Sequence, residues 1–276
     1  MVPKFMSYQL RILGCGSSGG VPRITGDWGV CDPAEPRNRR TRCSALVTYV
    51  QEKGGVLASD FHMLVDCSPD MREQLLSADV SELDAVLLTH DHADQTHGID
   101  DLRAIVYERK KRLDVYMDHA TALTMDQRFG YCFKTPPGSG YPPILEQCLI
   151  SATQDVVKLK KESADFSVIP FRQIHGNIES VGYRFGNLAY SSDISDLPNE
   201  SKERLQGLSC WIVDALRMTP HPTHFHLDKA LALIEEIKPQ RAVLTNLHID
   251  MDYQTLRQSL PSHIEPAYDG MVIEDC

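Results

Sequence analysis

Four stretches of this chain run a β-rich, apolar segment straight into a histidine or an aspartate. LDAVLLTH ends at His90, FSVIPFRQIH at His175, SVGYRFGNLAYSSD at Asp193 and RAVLTNLH at His248. Any one histidine after a strand is an ordinary surface residue. Four such endings, spread from residue 90 to residue 248, point to a fold in which those strand ends meet. In α/β sheets, sites form beyond strand ends because loops there converge while the sheet holds them rigid. The first ending opens into THDHADQTHG, residues 89–98. The H-x-H-x-D spacing of His90, His92 and Asp94 can aim two imidazoles and a carboxylate at one small region. Neutral imidazole suits zinc, iron or manganese, and carboxylate oxygens can bridge two cations.

The surrounding pattern alternates short β-rich runs with helical stretches. YQLRILG (8–14), SALVTYV (44–50) and HMLVDC (62–67) read as strands, the last two joined by the turn EKGG. A helix is expected over 69–78, with Ser68 as N-cap and Pro69 in the first helical position. LDAVLLTH (83–90) is a continuous apolar run, as in a strand buried on both faces. GIDDLRAIVYERKK reads as helical, and the Pro/Gly-rich segment 130–148 as an irregular lobe over the site. The second half repeats the order, with strands at 166–175 and 210–216, a Gly-Asn hairpin at 180–193, an amphipathic helix at 227–238 and a core strand at 241–248. The class is α/β, with helices covering sheet faces, and the 276 residues read as one domain, 1–276.

GCGSSG (14–19) matches G-x-G-x-x-G after a predicted strand, but GVPRITGDWG follows it and no helix can begin there to hold a pyrophosphate. Its glycines are expected to let backbone pass close to a neighbouring strand or ligand. With 28 basic and 38 acidic residues the net charge is −10, unlike the basic surface of a chain that grips a long polyanion. PRNRRTR (36–42) is the local exception, a basic loop that could face phosphate. No run of 18 apolar residues and no apolar leader occurs, and the eight cysteines are scattered with no CxxC pair. They read as reduced thiols of a cytoplasmic protein with no membrane segment.

LLTHDHADQTHGIDDLR, with LVDCSPD before it and His175, Asp193 and His248 after it, resembles the metallo-β-lactamase-fold hydrolases. That resemblance implies an αββα four-layer sandwich with a dinuclear centre at one sheet edge. LGCGSSGGVPR, QIHGNIESVGYRFG, YSSDISDLP and HPTH carry it further, to the PhnP-like cyclic-phosphate phosphodiesterases. The resemblance implies one metal held by His90, His92 and His175, a second by Asp94 and His248, with Asp193 bridging. Zinc or manganese is expected, and Asp94 counts among the catalytic residues as well as the ligands. Asp66 matches an aspartate that orients a ligand or the bridging water from behind. Two such cations acidify a bridging water to hydroxide and neutralise a phosphoryl group attacked in line. HPTHFH supplies a general acid for the leaving alkoxide, His224 ahead of His221. Arg103, Arg40, Arg42 and His226 are candidate phosphate contacts.

The family pattern continues with a histidine where this chain has Gln95. A glutamine offers only a neutral amide oxygen, so the second site is expected to bind weakly and to shift from zinc toward manganese. His97 is not expected to replace it. Cys15, Cys31 and Cys43 are too widely spaced for a structural zinc of the kind the PhnP-like enzymes carry. The expected substrate is a small phosphate ester, a ribose cyclic phosphate or a nucleotide-like molecule. No stable nucleic-acid partner is expected, and dimers are the commonest oligomer. The competing readings are a tRNA 3′-end endonuclease of the same superfamily and a degenerate nucleotide- or metal-binding domain without turnover.

Overall fold

The computed structural model describes residues 6–53, 56–161 and 164–275. Its elements run β1 (Met6–Gly14), β2 (Ser44–Lys53), β3 (Val56–Val65), α1 (Met71–Ser77), β4 (Ala85–Leu87), α2 (Ala93–Thr96) and α3 (Leu102–Arg109). There follow β5 (Leu113–Met117), α4 (His119–Phe133), β6 (Leu145–Leu149), β7 (Val157–Lys161), β8 (Ala164–His175), β9 (Ile178–Phe185) and β10 (Leu188–Ser191). The chain closes with α5 (Asn199–Arg204), β11 (Cys210–Asp214), α6 (Leu227–Ile237), β12 (Arg241–Thr245), α7 (Tyr253–Ser259), β13 (Ile264–Pro266) and β14 (Val272–Glu274).

These strands form two mixed sheets of seven, ordered β14-β1-β2-β3-β4-β5-β6 and β13-β12-β11-β10-β9-β8-β7. One apolar cluster lies between them, joining Leu10, Val47 and Met63 of the first sheet to Val168, Phe185 and Ile212 of the second. A second packs Val86 and Val115 against Leu102 and Met125, so α3 and α4 cover the outer face of the first sheet. A third sets Trp211 and Leu244 against Leu233 and Ile234 of α6 on the far side. Each sheet thus buries both faces, giving the αββα sandwich. β4 and β11 are buried along their whole length, which is why their sequences are apolar without alternation.

Several boundaries move. Helix α1 starts at Met71, and Ser68 accepts the amide of Asp70 (3.1 Å) in the turn before it. Pro69 therefore sits in that turn and not in the first helical position. The segment 130–148 is not a lobe over the site. Its start completes α4, its end is the strand β6 at the sheet edge, and none of it lines the main cavity. The EKGG turn contributes Glu52 and Lys53 to β2, and its glycines 54 and 55 lie outside the described residues. The GCGSSG glycines do serve close approach: a Cβ at Gly14 would lie 2.0 Å from the carbonyl of Arg42. No described helix is long and apolar enough to cross a membrane.

Candidate metal centre and active site

The C-terminal ends of β4, β8, β10 and β12 open toward one cavity of about 570 Å³. His92, Asp94, His175, Asp193, His224 and His248 all line it, while His90 is buried against the rings of His92 and His175. The ligand atoms of His90, His92 and His175 all lie within 4.8 Å of one another. Hydrogen bonds fix how two of these rings face. Thr89 takes up Asp66 through its amide (2.8 Å) and its hydroxyl (2.9 Å), and that hydroxyl meets His90 Nδ1 at 3.0 Å. Asp66, fully buried with φ +64°, therefore orients His90 through Thr89. His175 Nδ1 donates to the carbonyl of Thr223 at 2.6 Å, which leaves the Nε2 lone pair for an ion. His90 Nε2 is buried with no hydrogen-bond partner. Such an orphan is costly unless something coordinates it. Burial, then the neighbouring His92 and His175, holds His90 well below the usual histidine range, so it is a neutral imidazole with a lone pair to offer. The residues present fit one divalent cation at this point.

The other expected ligands are arranged differently. Asp193, at φ +53° and 3% exposed, closes a second group with His175 and His224. Asp94 and His248 line the same cavity but close no such group with Asp193. Gln95 is fully buried, and its Nε2 donates to Asp193 Oδ2 (3.0 Å) and Asp94 Oδ2 (3.4 Å). His97 turns away and packs edge-on against Phe129, ring centroids 5.5 Å apart.

Across the cavity, His224 Nδ1 bonds Asp214 Oδ2 at 2.7 Å, and its Nε2 lies 3.9 Å from Asp193 Oδ1. Burial opposes charge on this ring. The buried Asp214 carboxylate outweighs it, helped by Asp193 and Asp94, and raises the pKa to about 9. His221 also lines the cavity, but burial and then the nearby His224 lower its pKa, and its Nδ1 faces Thr223. His226 serves as the N-cap residue of α6 and is not among the lining residues.

The arginine candidates are mostly committed elsewhere. Arg40 is 2% exposed and bonds Asn38 Oδ1 (3.2 Å) beneath the loop, because its guanidinium completes the packing around Cys31. Arg42 pairs with Asp70 at 2.8 Å and faces a neighbouring depression. Arg103 pairs with Asp100 on its own helical turn. None of the three lines the main cavity. Two other arginines do: Arg23 from the glycine-rich loop, and Arg217, whose guanidinium is bonded to the carbonyls of Thr219 and Pro220. Cys15, Cys31 and Cys43 are buried and bonded to Asp269, the Ile249 carbonyl and Thr245, respectively. Cys31 packs with Val21, Ile249 and Trp28. The residues missed from sequence are Asp214, Thr89, Thr223 and Arg23. Of these only Asp214, closing the buried strand CWIVD ten residues before His224, left a readable signal.

A strand-end cluster of this kind on an αββα sandwich defines a metallo-β-lactamase-fold hydrolase. Residues 62–249 match the family described as beta-lactamase superfamily domain, and the chain belongs to it. Within it the chain is close to the PhnP-like proteins. A structure described as a new diphosphatase from the PhnP family is 32% identical, with a TM-score of 0.81 and 98% of each chain covered. Zn(2+)-bound PqqB from Methylobacterium extorquens (17% identical, TM-score 0.69, 96% of this chain and 99% of that one) shares the fold. So does human tRNase Z, short form (18%, TM-score 0.63, 97% and 99%). An octanoyltransferase of Porphyromonas gingivalis is 34% identical over 262 residues, which are 94% of this chain and 50% of that protein. The chain thus spans about half the length of that curated relative.

Proposed function

We propose that the chain is a metal-dependent phosphodiesterase acting on a small phosphate ester, a ribose cyclic phosphate or nucleotide-like molecule. The observation that carries this reading is the His224–Asp214 pair, set in one cavity with the three-histidine cation site. A bound divalent ion there, zinc or manganese, supplies Lewis acidity that activates water and neutralises phosphoryl charge. Everything else is done by the chain. His90, His92 and His175 hold the ion. Asp66 and Thr89 fix the His90 ring, and the Thr223 carbonyl fixes that of His175. His224 is protonated at neutral pH, with Nε2 facing the cavity, and gives its proton to the departing alkoxide. Asp214 keeps Nδ1–H in place so that the transferable proton is on Nε2. This geometry favours His224 over His221 as the acid.

The diphosphatase named for the PhnP-family relative supports a phosphoryl substrate for this chain. Octanoyl transfer is named for a protein about twice as long. No cysteine lines the present cavity, so it offers no thiol for a covalent acyl intermediate. Net charge −10 argues against a tRNA grip.

The test is an activity screen of the purified chain with manganese or zinc against bis(p-nitrophenyl) phosphate and cyclic ribose phosphates. Hydrolysis of at least one is expected. Metal-loaded protein that cleaves neither would end the phosphodiesterase reading, and cleavage of a precursor tRNA instead would move the chain to the endonucleases.

A further inference from the structure

Three of the atoms that a second ion could use already carry N–H donors supplied by this chain: one oxygen each of Asp94 and Asp193, and Nε2 of His248. Gln95 Nε2 donates to Asp193 Oδ2 and Asp94 Oδ2. Between two carboxylates, N–H is the only end of a neutral amide that is electrostatically matched, so Gln95 turns its donor, not its oxygen, to the acids. Its Oε1 is buried without a partner on the other side. His248 Nδ1 is tied to Asp250 Oδ1 at 3.0 Å, which makes it the N–H and leaves Nε2 as the lone pair. That lone pair takes Nη2 of Arg23. The guanidinium pairs with no carboxylate among the described residues. It rides on an exposed loop, Arg23–Asp27, closed by the bonds Arg23 N to Asp27 O (2.9 Å) and Gly26 N to Arg23 O (2.7 Å).

We infer that this centre works with one divalent ion, at His90, His92 and His175, and that Arg23 supplies the second positive charge. The inference rests on the phosphodiesterase reading only for what Arg23 is charged to meet. Arginine is charged at every physiological pH and presents a fork that matches phosphate oxygens. Placed on His248 at the cavity wall, it opposes a second cation and faces the same space a phosphoryl group would enter. Gln95 completes the exclusion by occupying the acids without charge.

The experiment is equilibrium dialysis against manganese with elemental analysis, on the full chain and on the double variant Gln95→His/Arg23→Ala. The native chain is expected to saturate near one ion per chain at concentrations that fill two in the double variant. Two ions of similar affinity in the native chain would overturn the inference. So would a double variant that still saturates at one, since Gln95 and Arg23 would then not be what excludes the second. For the role of the charge, calorimetric titration of manganese-loaded protein with inorganic phosphate is the readout. Arg23→Ala is expected to keep one ion and weaken phosphate about tenfold, the scale of a hydrogen bond to a charged group, with Arg23→Lys in between. Unchanged phosphate affinity would remove Arg23 from the site. None of these measurements needs turnover, so an inactive chain with one ion and an Arg23-dependent phosphate site would sink the phosphodiesterase reading alone.

Discussion

His224 is the residue whose chemistry is most sharply set by its neighbours. With its pKa raised to about 9, the acid form persists through neutral pH and is lost as pH climbs past that value. The expected kcat profile therefore falls above pH of about 9. His224→Ala should cost roughly 10²–10⁴-fold in kcat while leaving ion stoichiometry unchanged. Asp214→Asn retains an oxygen for the ring and the Ile194 amide but removes the charge that raises the pKa. It should draw the basic limb down by roughly 1–3 units, and an unmoved limb would show that Asp214 does not govern His224. That His90, His92, Asp94, His175, Asp193 and His248 gather in one place was legible because the H-x-H-x-D run and the strand endings are local patterns. Asp214 left a signal at the end of CWIVD, but Thr89, Thr223 and Arg23 left none, because each acts through a partner that only the fold brings near. PRNRRTR misled for the same reason: a row of arginines does not say which are consumed by Asn38 and Asp70.

At the scale of elements, the end of β8 depends on one glycine. Gly176 has φ +63°, and a Cβ there would come 2.4 Å from Thr223 Cγ2. The bend lets the 219–224 loop close on His175, so that the Thr223 carbonyl reaches Nδ1. Gly176→Ala should destabilise the chain by about 1–3 kcal/mol through crowding and left-handed strain. It should also weaken the ion by freeing the ring. A thermal melt with and without manganese reads both, and an unaltered manganese-induced shift would mean that the loop does not set His175. Strands such as β1, β8 and β11 could be read from their apolar runs. The short edge strands β13 and β14 could not, since three residues carry no period and their pairing is decided by partners remote in sequence.

For the whole molecule, the cation is part of stability as well as catalysis. An ion that binds only the folded chain adds about 2.7 kcal/mol at a hundredfold excess over its Kd, so chelation should lower Tm and readdition restore it. A Tm indifferent to chelator and manganese alike would mean that the histidine cluster holds no ion in solution. The α/β class was legible in the two similar runs of elements, and the four-layer order only through the family resemblance of the histidine motif. The route of the glycine-rich loop over the cavity was not, because irregular backbone has no sequence period.

The loop that carries His90 belongs to the first sheet, yet Val181 of β9 donates its amide to the Thr89 carbonyl (2.8 Å), and Tyr183 its hydroxyl to that of Leu88 (2.6 Å). His175 comes from the second sheet. The cation pocket is therefore a gauge of how the two halves are docked, closed only when both are in register. Cobalt added during refolding should develop its visible absorbance with the last phase of docking, after the far-ultraviolet signal of the separate sheets has recovered.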